Sequence, residues 1–167
     1  MFFCCTSLTT APELPATTLA KECYTEMFSG CTSLTTVPEL PATTLAEGCY
    51  YGMFAFCSSL TSAPELPAIT LAYKCYGWMF EHCTNLTTAP VLPANTLTES
   101  CYYGMFWGCV NLNQVTMLAT DISARSCLSN WLTGVPETGT LIKASTMTSD
   151  NLQIPPGWTV IDYNSEE

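Results

Sequence analysis

MFSGCTSLTTVPELPATTLAEGCYYG, residues 27–52, is the unit from which most of this chain is built. Further copies start at Met53, Met79 and Met105, and a first one at Met1, so the period is 26 residues. A fixed period of this size marks units that cannot bury an apolar face alone and must stack on their neighbours. Aligning the copies separates fixed from varying positions. Leu8, Leu34, Leu60, Leu86 and Leu112 form one column, and Leu14, Leu40, Leu66, Leu92 and Leu118 a second. Leu19, Leu45, Leu71 and Leu97, with Ile122 near the same place, form a third; Phe2, Phe28, Phe54, Phe80 and Phe106 form a fourth. Stacked strands lie about 4.8 Å apart, so each column is a line of touching side chains and together the columns are the expected core.

Within a unit, Cys23, Met27, Cys31 and Leu34 step by four, four and three, which reads as one face of a helix. The spacing predicts a short helix over 45–57 and its equivalents, capped by Thr43-Thr44. Leu34-Thr35-Thr36-Val37 alternates as a strand does, and Pro38 limits it because proline has no N–H to donate. Pro38-Glu39-Leu40-Pro41 makes an extended corner. The expected fold is therefore an α/β repeat solenoid: a right-handed, leucine-rich-repeat-like coil over 1–132, with a short helix and a short strand per unit. From Thr133 the pattern changes. Thr140-Leu141-Ile142-Lys143 and Trp158-Thr159-Val160-Ile161 read as strands joined through Ile154-Pro155-Pro156-Gly157, giving a β-rich cap over 133–167. Trp131 and Trp158 are expected to close the core.

The run Phe28 to Thr36, Phe-x-x-Cys-Thr-Ser-Leu-Thr-Thr, resembles the core motif of the BspA-like leucine-rich repeat family, with Met27-Phe28 in place of its usual Ala-Phe. The resemblance covers about residues 1 to 132, and the unit is longer than the family's usual repeat around Pro38-Glu39-Leu40-Pro41. It implies secreted or cell-surface bacterial proteins, often of gut or oral Bacteroidetes, with adhesion or host-binding roles and no shared catalytic residues. Similar arrays in gut-phage genes are the second setting it suggests.

Composition narrows the function. The net charge is −10 with only Lys21, Lys74, Arg125 and Lys143 basic, which leaves little to neutralise phosphates and disfavours nucleic acid and anionic membranes. No apolar run approaches the roughly 18 residues a membrane helix needs. The first unit begins at the internal Met-Phe with no polar cap, so the expectation is that further sequence precedes it or that another copy covers this end. Ten of the eleven cysteines fall into two columns: Cys5, Cys31, Cys57, Cys83, Cys109 and Cys23, Cys49, Cys75, Cys101, Cys127. They share the apolar face, no CxxC pair occurs, and they read as reduced, buried thiols, with Cys4 exposed.

Catalysis has little support. His82 is the sole histidine, and no nucleophile or carboxylate is spaced to serve it. No cofactor, metal or nucleotide motif is present. Glu13, Glu39 and Glu65 recur at one position, interrupted by Val91, and read mainly as a solvated row. The varying positions lead further: Tyr51, Phe56, Tyr73, Trp78, Tyr103 and Trp107 lie outside the core pattern and would form an aromatic ridge. These six are the predicted binding residues of a non-enzymatic module for a protein or glycan. The alternative is a structural protein that associates head to tail through the uncapped first coil.

Overall fold

Between Ala20 and Cys31 the backbone folds as a chain of overlapping tight turns. The N–H groups of Cys23, Thr25, Met27, Ser29 and Cys31 each donate to the carbonyl three residues back, at 3.1–3.3 Å. The alternate N–H groups, of Glu22, Tyr24, Glu26, Phe28 and Gly30, point the other way along the stack. They donate to Glu47, Cys49, Tyr51, Met53 and Ala55 of the next coil at 2.8–3.0 Å. Every fourth residue, Glu22, Glu26 and Gly30, has φ between 50° and 74°. The same pattern recurs at Gly48, Gly52 and Phe56, at Lys74, Trp78 and His82, and at Ser100, Gly104 and Gly108.

This overturns the predicted α/β solenoid. The computed structural model describes residues 1–147 and 152–164, and among them there is no helix. An α-helix keeps every interior N–H within itself, to the carbonyl four residues back. Here half of these donors hold the neighbouring coil, and a left-handed residue every fourth position prevents a helix from propagating. The four-residue spacing of Cys23, Met27 and Cys31 is real, but it belongs to turns with a period of four rather than to a helix. Thr43-Thr44 caps nothing; Thr44 instead makes an isolated parallel bridge with Thr70.

The predicted strand per unit is likewise reduced to single parallel bridges, such as Thr10 with Thr36 and Thr88 with Gln114. Proline decides this. Pro12, Pro38, Pro64 and Pro90 occupy one repeat position and cut each ladder short, whereas the fifth unit carries Thr116 there. In that unit a strand forms: β1, Gln114–Met117. It pairs in parallel with β2, Thr138–Lys143, which pairs in parallel with β3, Gly157–Asp162. The two strands expected near the C-terminus are thus present, in a sheet of order β1-β2-β3 that extends the coil-to-coil column. The predicted cap also takes in 148–151 and 165–167, which lie outside the described residues.

The leucine and phenylalanine columns form the core, except that in the fifth unit Met117, not the expected Leu118, bridges Leu92 and is fully buried, leaving Leu118 half-buried. Phe28, Phe54, Phe80 and Phe106 are fully buried and stack face to face with centroids 5.6–5.8 Å apart. A second aromatic column, Tyr24, Tyr50, Tyr76 and Tyr102, runs beside it at 5.8–6.1 Å. Each interior cysteine of the Cys31 column donates its thiol to a phenylalanine carbonyl of the preceding coil: Cys57 to Phe28, Cys83 to Phe54 and Cys109 to Phe80, at 3.0–3.2 Å. The thiols therefore both fill space and tie coils together. Trp131 is fully buried, with Nε1 donating to the Leu152 carbonyl at 2.8 Å, and Trp158 is buried with Nε1 donating to the Pro136 carbonyl at 2.9 Å. Both close the C-terminal end as expected. Lys143 is also buried there, donating to the Asp162 carboxylate at 2.7 Å and the Met147 carbonyl at 3.0 Å.

Candidate functional site

The turn chain presents its left-handed positions and their neighbours on the outside of the stack. Along one column run Glu26, Gly52, Trp78, Gly104 and Asn130; along another Phe56, His82 and Gly108. Trp78 leans onto Gly104 and His82 onto Gly108 of the next coil, while Phe56 leans onto His82. A Cβ built on Gly104 would lie 2.7 Å from the Trp78 ring, one on Gly108 2.5 Å from His82 Nδ1, and one on Gly77 3.1 Å from the Tyr51 ring. Glycine at 104 and 108 thus serves twice, by tolerating positive φ and by making room for a ring.

All six predicted ridge residues reach the surface. Phe56 and Tyr73 are exposed, at 47% and 40%; Tyr51, Trp78, Tyr103 and Trp107 are half-buried. They form two groups. Trp78 contacts Tyr103 edge-on and Trp107 at a tilt, both with centroids 5.3 Å apart. Phe56 stacks on His82 at 5.1 Å, so the lone histidine is a packing partner of the ridge. Tyr73 stands apart, with Lys74 Nζ 5.1 Å from its ring centre. Burial raises the Tyr51 phenol above its usual range, opposed by the nearby Lys74 charge. Two other positions that the sequence pattern leaves free of the core, Ala55 and Ser100, are buried by the neighbouring coil.

One feature escapes the sequence reading. Gly52 and Ala55 are the smallest residues of their columns, and beside them lies a hollow of about 170 Å³ lined by Glu26, Ser29, Tyr51, Phe56, Trp78 and Glu81. The glycine–tryptophan alternation in the sequence signals it, once Gly52 and Trp78 are known to share a column. Burial holds the Glu81 carboxyl above its usual pKa; His82 opposes this shift and the Glu26 charge adds to it.

On another face, Pro-Glu-Leu-Pro corners of successive coils enclose shallow grooves of about 550, 430 and 350 Å³. Glu13, Glu39 and Glu65 are exposed at their edges. Among the described residues no group of three or more His, Cys, Asp or Glu side chains is arranged to hold a metal ion, and no helix is long and apolar enough to cross a membrane.

Comparison with protein-family models, with curated proteins and with solved structures finds no match for this chain. The resemblance to BspA-like repeats rests on the recurring motif typified by Phe28–Thr36, and no family model supports it.

Proposed function

We propose that this chain is a non-catalytic binding module of a secreted or cell-surface bacterial protein, recognising a protein or glycan through the aromatic ridge. The observation that carries this reading is where the large side chains sit. Phe56, Trp78 and His82 occupy left-handed backbone positions that other coils give to glycine, at Gly30, Gly52, Gly104 and Gly108, or to the smaller or polar Cys4, Glu26 and Asn130. A bulky residue costs about 1–2 kcal/mol there. Strain of this kind concentrates where function requires a side chain. Packing onto the next coil recovers part of that cost but leaves the rings partly in solvent, as binding anchors require.

The test is a screen of glycan and extracellular-protein arrays with the native chain and with Trp78→Ala/Trp107→Ala. The expected result is a ligand whose binding the double variant weakens by about 2 kcal/mol or more, while the variant still folds and unfolds cooperatively. Undiminished binding would move the site off the ridge. The alternative is a structural protein whose copies associate head to tail. Light scattering across a concentration series separates the two, since only assembly grows with concentration.

A further inference from the structure

The hollow beside Gly52 combines three properties. It is walled by aromatic rings, Tyr51, Phe56 and Trp78. It carries two carboxylates, Glu26 and Glu81, neither of which forms an ion pair among the described residues; the pairs there are Lys21 with Glu22 and Glu47, and Lys143 with Asp162. It also exists only because two columns shrink together: Gly52 stands between Glu26 and Trp78, and Ala55 between Ser29 and Glu81. Glu26 lies along its floor, since a Cβ on Gly52 would sit 3.0 Å from Glu26 Cγ and 3.9 Å from Oε1. At about 170 Å³ the hollow has room for a small head group.

A bare metal ion is a poor occupant, because it needs more oxygen ligands than two carboxylates on separate coils supply. A neutral group would gain nothing from the two carboxylates. An organic cation suits both features: its charge faces the carboxylates and its methylenes or methyls lie against the rings, where the negative face of an aromatic attracts a cation. We propose that this hollow binds an alkylammonium group, either the lysine side chain of a partner protein or a free quaternary ammonium compound. This assignment rests on the ridge being a binding surface and names the chemistry that one part of it recognises. Lys74 and His82 are the nearby basic groups; Lys74 lies against Tyr73, and His82 against Phe56. The net charge of −10 favours the approach of such a ligand.

The experiment is a titration of the isotopically labelled native chain followed by nuclear magnetic resonance. The probes are choline, a blocked Gly-Lys-Gly peptide, and the uncharged isostere of choline in which tert-butyl replaces trimethylammonium. The expected result is saturable movement of the Trp78 indole and Tyr51 amide signals with a cationic probe, about tenfold tighter than with the isostere. Binding of the peptide identifies a partner's lysine as the source; binding of choline alone identifies a free quaternary ammonium. Glu26→Gln/Glu81→Gln should weaken the cation by a similar factor and leave the isostere unchanged. Equal affinity for choline and its isostere, or no movement with either cation, overturns the proposal, and the comparison with the isostere holds even if the double variant folds poorly. Should the cations fail while an array ligand still depends on Trp78 and Trp107, the ridge remains the binding surface and only the cation assignment falls.

Discussion

The first coil and the third carry nearly the same sequence and meet different fates. Leu8, Leu19 and Tyr24 are half-buried and Cys5 and Cys23 exposed, whereas Leu60, Leu71, Tyr76, Cys57 and Cys75 are buried. Nothing in the side chains explains the difference. Each interior coil is packed between two described coils, whereas the first is described against one. Burial in such a stack is a property of position in the array, and so is stability.

Removing a core side chain at each place tests this most strongly. Leu60→Ala should cost about 2–5 kcal/mol in denaturant unfolding, because its methyls are enclosed on all sides. Leu8→Ala should cost less, since its environment is already open to water. Equal losses would mean that the ends are as tightly enclosed as the centre.

A second contrast concerns glycine. Gly104→Ala forces a Cβ against the Trp78 ring as well as into the left-handed region, and should cost more than about 2 kcal/mol. Gly134 also has positive φ, but its nearest neighbour would be the Gly108 backbone at 3.4 Å. Gly134→Ala should therefore show the conformational part alone, about 1–2 kcal/mol. Adding Trp78→Ala to Gly104→Ala should bring the two positions together; if it does not, the ring is not what the glycine accommodates.

The thiols give the finest comparison. Cys4, Cys5 and Cys23 are exposed and should label within the mixing time at neutral pH, while the other eight, all buried, stay protected. This corrects the expectation that at most Cys4 and its neighbour would be accessible, because Cys23 is exposed as well. Burial pushes the Cys49 thiol up to about 11 and those of Cys57, Cys101 and Cys109 up to about 12. The unfolded chain releases these protons from about pH 9 and the folded one does not, so the unfolded state binds fewer protons above that pH. The stability contributed by the neutral thiols is complete below pH 9 and declines as pH rises toward 12. Thermal unfolding between pH 8 and 10.5 should show a falling midpoint, and one that rises would show that these thiols are not buried.

The sequence was most legible where it repeats. The phenylalanine column, the leucine columns as far as Leu112 and the buried interior cysteines follow from the 26-residue period, since any stacking of identical units aligns identical residues; Met117 in place of Leu118 does not. The partial exposure of Tyr51, Phe56, Tyr73, Trp78, Tyr103 and Trp107 follows from the same alignment. The helix did not survive. Gly48 and Gly52 inside 45–57, and Gly104 and Gly108 in a later copy, were the warning, because glycine four residues apart disfavours a helix and suits recurring positive φ.

By itself, then, the chain determined most of the residues that meet across coils, because register follows from period; the exception is the fifth unit, where the register slips by one and Met117 meets Leu92. It also determined where the ladder is cut, because proline lacks a donor at Pro12, Pro38, Pro64 and Pro90 and Thr116 does not. The tertiary structure alone decided how each coil's backbone is satisfied. A spacing of four fits both a helix and a turn chain, and the choice depends on whether N–H groups find partners within the coil or on the next one. Stacking supplied the partners on the next coil, and with them came the left-handed positions, the tilted rings and the hollow beside Gly52. None of these exists in a single unit, because each is made by one coil lying against another.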